Sequence, residues 1–167
     1  IDRLYRHRGV RPDEAADTRL ARLLPPEFRG INQAATLIAA AIGNQQRIVV
    51  AGDYDCDGAT GVAVAVRGLR MLGARHVDFV VPDRFRMGYG LSPALVDLAA
   101  AQQADLIVTV DSGISSLEGV AHAAAQSIPV VVTDHHLPGA VLPAAAAIVN
   151  PNQPDCPFGR LIWPVWA

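Results

Sequence analysis

The sequence predicts an α/β fold: a mainly parallel sheet with helices on both faces, preceded by a short helical segment. Two observations carry that prediction. From residue 47 onward, short runs rich in valine and isoleucine alternate with longer stretches of helical periodicity, and glycine, serine, proline and asparagine punctuate the alternation. The strand-like runs are also continuously apolar, as expected of parallel strands covered on both faces.

Taken in order, residues 1–46 read as a helical segment of separate character. Residues 3–8 are basic, Pro12-Asp13-Glu14 reads as a helix start, and Leu20, Leu23 and Leu24 give an apolar stripe that Pro25-Pro26 stops. Asn32 is placed to cap a helix over 34–42, which Gly43-Asn44 ends. Residues 47–167 form the second unit. Its strands are predicted at 47–51, 77–81, 106–110, 130–133 and 147–149, the last ending at Asn150-Pro151. Its helices are predicted at 59–72 with Gly73 as terminator, at 93–102 with Ser92 as cap, and at 115–126. The alanine-rich 143–147 reads as a loop entering the last strand.

A chain of 167 residues, 51% hydrophobic and 18% charged, can bury a sizeable core and is not disordered by composition. The net charge of −2 excludes a bulk electrostatic pull on nucleic acid, so such a partner needs a local basic patch. Cys56 and Cys156 form neither a CxxC pair nor a secreted disulfide framework, which makes a reducing, cytoplasmic setting the expectation. Neither a signal peptide nor a membrane span is read, and the missing initiator methionine suggests a fragment.

Chemistry concentrates where predicted strands end. The first runs into Gly52-Asp53-Tyr54-Asp55-Cys56-Asp57-Gly58, the third into Asp111-Ser112-Gly113, and the fourth into Asp134-His135-His136. If the first strand's extended geometry continues, Asp53, Asp55 and Asp57 share one face and Cys56 points the other way, into the core. Three crowded carboxylates require a cation to stay ionised. Asp-x-Asp-x-Asp-Gly also opens an EF-hand loop, but that loop needs glutamate at its twelfth position, where Val64 stands. Ligands of parallel sheets gather at the carboxyl ends of the strands, so the three motifs are expected to converge. Carboxylates with imidazoles and no paired thiolates suit Mn²⁺ or Mg²⁺, with room for two ions about 3.5–4 Å apart. Asp111, alone on its strand end, is the natural bridge between them. Arg84, Arg86 and Tyr89 are either contacts for phosphate and a stacked base or a solvated loop. His76, His122 and Cys156 are assigned no role.

These motifs resemble the first three of the DHH phosphoesterase superfamily, and lie nearer its bacterial single-strand-specific DNA exonucleases. Arg3-Leu4-Tyr5, Arg8-Gly9, Val81-Pro82-Asp83-Arg84, Gly88-Tyr89-Gly90-Leu91-Ser92 and Val149-Asn150-Pro151-Asn152-Gln153-Pro154 are similar to the connecting sequence of that branch. The resemblance implies a hydrolase cutting single-stranded DNA 5′ to 3′ in recombination and repair, with Mn²⁺ or Mg²⁺. Asp55, Asp57, Asp111 and His135 match metal-ligand positions, Asp53 is a ligand or adjoins one, and His136 matches a residue expected to contact phosphate. Asp134 is expected to orient a histidine. Water activated by the ions would be the nucleophile. A phosphodiesterase for short oligonucleotides or cyclic dinucleotides, and a metal-binding fragment without catalysis, are the alternatives.

The resemblance ends after Phe158, where the family continues with Leu-Ala-Gly-Val-Gly, a long helix, a fourth-motif aspartate and a second domain. Ile162-Trp163-Pro164-Val165-Trp166-Ala167, back-translated and read two bases later, permits Leu-Ala-Gly-Val-Gly. A frameshift is therefore expected, which sequencing of the gene decides. The resemblance then implies a DHH domain incomplete at its C-terminus, with weak or no nuclease activity by itself.

Overall fold

Five runs of β-branched and small apolar residues, too short for helices and bounded by polar turns, pair side by side in the computed structural model, which describes residues 2–7, 9, 11 and 27–158. They are β1 (Ile48–Gly52), β2 (Val77–Val80), β3 (Leu106–Val110), β4 (Val130–Thr133) and β5 (Ala147–Val149). All are parallel, in the spatial order β2-β1-β3-β4-β5. The helices are α1 (Asp2–His7), α2 (Ile31–Gly43), α3 (Cys56–Met71), α4 (Pro93–Ala101) and α5 (Leu117–Ala125).

Side-chain alternation along the strands splits the core in two. Ile48 and Val50, with Leu106, Val108 and Val131, pack beneath α2 and α3, against Ala34, Ala41, Val62, Val66 and Leu69. Val49 and Ala51, with Ile107, Val130 and Val132, pack beneath α4 and α5, against Leu95, Val96, Ala99, Val120 and Ala123. Each fully buried valine, leucine or isoleucine contributes about 1.5–3 kcal/mol to this arrangement. Covering both faces is what makes uninterrupted apolar strands stable, and the α/β class read from the sequence is the observed one.

Local signals set most of the boundaries. Ser92 accepts the Leu95 N–H at 3.3 Å and Pro93 opens α4. Helix α2 ends at Gly43 with Asn44 as its C-cap. Its start differs from expectation: the cap is Gly30, in a left-handed conformation, and Asn32 lies within the first turn, its carbonyl accepting the Thr36 hydroxyl. Gly30 is needed because a Cβ there would collide with the Ile148 carbonyl oxygen. Helix α5 begins two residues later than predicted. The predicted helix ending at Pro25-Pro26 and the terminal segment 159–167 lie outside the described residues. Among the described residues no helix is long and apolar enough to cross a membrane.

Because the chain moves outward from β1 to β2 and then returns to β3, the order of strands reverses between β1 and β3. A crevice opens there at the carboxyl edge. Register makes that edge level: Gly52, Val110, Thr133 and Val149 lie opposite one another across neighbouring strands. The next residue of each strand is Asp53, Asp111, Asp134 or Asn150, and all four are buried.

Candidate metal centre

Four buried polar side chains in one row each need partners, since burying an unpaired carboxylate or amide is costly. The row divides cleanly. Asn150 is satisfied on both sides: its Nδ2 donates to the His136 carbonyl at 3.0 Å and its Oδ1 accepts the Asn152 N–H at 2.7 Å. Asp134 is satisfied as well. Its Oδ2 accepts the Ile114 N–H at 2.9 Å, and its Oδ1 accepts the N–H groups of His135 (2.7 Å) and His136 (3.0 Å) and lies 2.7 Å from His136 Nδ1. Asp53 and Asp111 are different. Asp53 Oδ1 and Asp111 Oδ2 are buried with no hydrogen-bond partner, the only such carboxylate oxygens among the described residues.

Two orphaned acidic oxygens at a crevice fit a cation. Ligand atoms of Asp53, Asp55 and Asp111 lie within 4.8 Å of one another, and so do those of Asp111, His135 and His136. Asp111 belongs to both groups, the position of a carboxylate that could bridge two ions. Its Oδ1 lies 2.8 Å from His135 Nε2. Burial raises the Asp111 pKa above the usual carboxylate range, the His135 contact opposes this, and the neighbouring Asp57 and Asp55 charges add to the rise. Its backbone, at φ 60°, sits in the left-handed region that aspartate and asparagine tolerate better than most residues.

The first motif is built differently from its prediction. Strand β1 stops at Gly52, and Asp55 is the N-cap of α3, its Oδ1 accepting the Gly58 N–H at 3.0 Å. That hydrogen bond is the main cause of an Asp55 pKa below the usual range. Asp53, Asp55 and Asp57 therefore do not share a strand face. Asp53 lies buried at the sheet edge, Asp55 caps the helix, and Asp57 stands in its first turn, exposed. Capping prevails because a helix start leaves N–H groups unsatisfied, which an aspartate relieves both as acceptor and as anion. Gly58 ends the motif for a steric reason: a Cβ there would approach the Asp53 carbonyl oxygen to 2.6 Å. Asp57 belongs to neither three-residue group, but it lines an open groove of about 380 Å³ together with Asp111, Asp134 and His135.

Helix capping also overturns the reading of Cys56 as a core residue. Helical geometry places it on the exposed surface, whereas Cys156 is buried with its Sγ accepting the Arg29 N–H at 3.4 Å. A maleimide reagent is expected to modify Cys56 at least about tenfold faster than Cys156 in the folded protein. Mass spectrometry of partly labelled peptides checks this, and equal rates would contradict the placement.

The third motif holds its imidazoles at two angles. Asp134 orients His136 through Nδ1 at 2.7 Å, while Nε2 lies 3.3 Å from the Tyr89 hydroxyl. Burial opposes the charged form of His136, but the Asp134 hydrogen bond and the Asp134, Asp111 and Asp53 charges outweigh it and raise its pKa. Tyr89 Oη donates to the Asp111 carbonyl at 3.2 Å and lies 3.1 Å from His136 Nδ1. Burial and the surrounding carboxylates push the Tyr89 pKa up. Arg84 and Arg86 have other partners: Arg84 lies over the Tyr54 ring and Arg86 is 3.8 Å from Asp83.

Residues 47–162 match the family model described as DHH family, N-terminal domain. The chain belongs to the DHH family. The chain is 51% identical over 159 residues to the single-stranded-DNA-specific exonuclease RecJ of Escherichia coli, covering 95% of this chain and 28% of that protein. The RecJ of Thermus thermophilus is 40% identical over 151 residues, covering 90% of this chain and 22% of that protein. The chain thus spans less than a third of the length of these relatives. Among solved structures, exonuclease RecJ bound to manganese superposes with a TM-score of 0.70 at 37% identity, over 86% of this chain and 37% of that one. RecJ in complex with Mn²⁺ from Thermus thermophilus gives 0.71 at 36% identity, over 97% and 24%.

Two residues of the DHH domain's site escaped the sequence reading. Asn152 Nδ2 donates to the His135 carbonyl at 2.5 Å, and Asn150 holds the His136 carbonyl. Together they clamp the main chain that carries both imidazoles. Their signal was Asn-Pro-Asn directly after a predicted strand, at the edge where ligands gather and within a stretch similar to the family's connecting sequence. His122, assigned no role, lies 2.7 Å from Asp97 and links α5 to α4. Its hydrogen bond, with a second from Gln126, holds the exposed Asp97 carboxyl below its ordinary pKa.

Proposed function

We propose that this DHH domain carries the metal centre of a phosphodiester hydrolase acting on single-stranded DNA from the 5′ end, with Mn²⁺ or Mg²⁺. The observation that supports it most is the pair of orphaned oxygens on Asp53 and Asp111, with Asp111 common to two groups of potential ligands. The relatives named as single-stranded-DNA-specific exonucleases, and the RecJ structures bound to manganese, supply the substrate class and the metal. Asp53, Asp55, Asp57, Asp111 and His135 would hold the ions, which when bound supply Lewis-acid activation of water and neutralise the phosphate.

The chain's own residues do the positioning. Asp134 fixes the tautomer and orientation of His136, whose raised pKa favours the charged form that donates to a phosphate oxygen. Tyr89, hydrogen-bonded to the Asp111 carbonyl beside that ring, limits how far His136 can turn. Arg84 and Arg86 would meet the incoming strand. Domain by domain, 1–46 would be a helical segment and 47–167 would belong to the DHH domain.

The test pairs calorimetric Mn²⁺ titration with digestion of 5′-phosphorylated single strands, duplexes and dinucleotides. Metal uptake, with any Mn²⁺-dependent cleavage confined to the single strand, is the expected result. Preferential cleavage of dinucleotides would replace this reading by the short-oligonucleotide one. Where cleavage is measured, His136→Ala is expected to lower kcat about 10²–10³-fold while Mn²⁺ uptake persists, the loss typical of one transition-state donor.

A further inference from the structure

We propose that Tyr54, Arg84 and Phe85 form a stacking platform for an unpaired nucleobase beside the metal centre. The inference rests on the single-strand reading above and deepens it by naming what grips the base.

Phe85 is 91% exposed, the most exposed large hydrophobic residue among those described. It is not loosely held. Asp83 Oδ1 accepts the Phe85 N–H at 2.9 Å, and the Asp83 carbonyl accepts the N–H groups of Arg86 and Met87 at 3.0 and 2.8 Å. Met87 packs on the core beneath α4 and α5, so the turn is fastened on both sides of Phe85. An ordered turn that presents a bare phenyl ring beside a guanidinium and a second aromatic ring offers a face that a planar ligand can cover.

The neighbouring groups say which occupant. The Arg84 guanidinium carbon lies 4.9 Å from the Tyr54 ring centroid and 5.9 Å from that of Phe85, so one planar cation joins two aromatic rings. Aromatic rings and guanidinium planes are the groups on which single-strand binders stack bases, without sequence preference because every base has a π-face. An amphipathic protein partner would need a broader apolar surface than one ring flanked by Arg84 and Arg86. Location points the same way. Tyr54 lies between Asp53 and Asp55 in the chain, so a base stacked here has its phosphates near the carboxylates. Tyr89, the aromatic singled out from sequence, has its hydroxyl engaged beside His136 instead. A base paired and stacked within a duplex cannot offer its face, so the platform favours single strands at the point of binding.

Fluorescence anisotropy tests this with the full chain and Mn²⁺, using 5′-phosphorylated oligothymidylate with non-hydrolysable phosphorothioate linkages and a 3′ dye. The comparison strand carries abasic tetrahydrofuran residues at its 5′ end. The base-bearing strand is expected to bind about tenfold more tightly, the effect of one stacked base. Phe85→Ala should bring that ratio close to one, and Phe85→Trp should restore it. A ratio unchanged in Phe85→Ala, or already near one in the parent, overturns the platform while strand binding leaves the proposed function standing. Failure of the parent to bind either strand overturns both.

Discussion

Asp111→Asn is expected to abolish high-affinity Mn²⁺ uptake while yielding a metal-free protein at least as stable as the parent. Asparagine keeps the shape, tolerates the left-handed backbone at φ 60° and can still accept from His135. It removes the negative charge that crowds Asp55 and Asp57 and whose protonation burial already favours. A carboxyl with a raised folded-state pKa stabilises the fold below its unfolded pKa and loses that contribution as pH rises through the folded value. The variant's advantage should therefore appear at neutral pH and vanish in acid. Metal reverses the order. At about a hundred times Kd, an ion that binds only the folded state adds about 2.7 kcal/mol to the parent and nothing to the variant. Denaturant melts with and without Mn²⁺ read both effects. A variant destabilised without metal, or stabilised by Mn²⁺ as much as the parent, would refute this account of Asp111.

Asp134→Ala should be far more damaging to the fold. The carboxylate, with its side chain 1% exposed, accepts three backbone N–H groups and faces His136 Nδ1. Removing it strands donors at the start of the loop after β3 and at both histidines. The expected loss is about 3–5 kcal/mol, a large share of the roughly 5–15 kcal/mol typical of a domain. Asp134→Asn is the milder companion, because one oxygen remains to accept. If it folds, its His136 pKa, read from the imidazole proton resonance, should fall toward the ordinary histidine value. A stable Asp134→Ala, or an Asp134→Asn with His136 unshifted, would show that Asp134 does not organise the site.

The sheet was legible in the sequence because its strands are simple: β3, β4 and β5 were placed at their observed limits. Residues such as Ile107 and Val131 are fully buried, so the apolar run and the strand coincide. The convergence of the three motifs followed from parallel topology alone. What failed was local. Alternation along Asp53, Asp55 and Asp57 looked like a strand face, but Asp55 three residues before Gly58 is a helix cap, and the cap decides the backbone. Cys56 went to the surface for the same reason. The clamping role of Asn150 and Asn152 was illegible because their partners are main-chain carbonyls 14 and 17 residues away, and a carbonyl leaves no mark on the sequence.

On the proposed function, Asp111 stands between two cation sites, one with Asp53 and Asp55 and one with His135. Anomalous diffraction at the manganese edge, from crystals of this chain grown with Mn²⁺, tests it most directly. Two peaks sharing Asp111 as a ligand are the expected result. Manganese bound only elsewhere, or none within reach of Asp111 at saturating Mn²⁺, would contradict it.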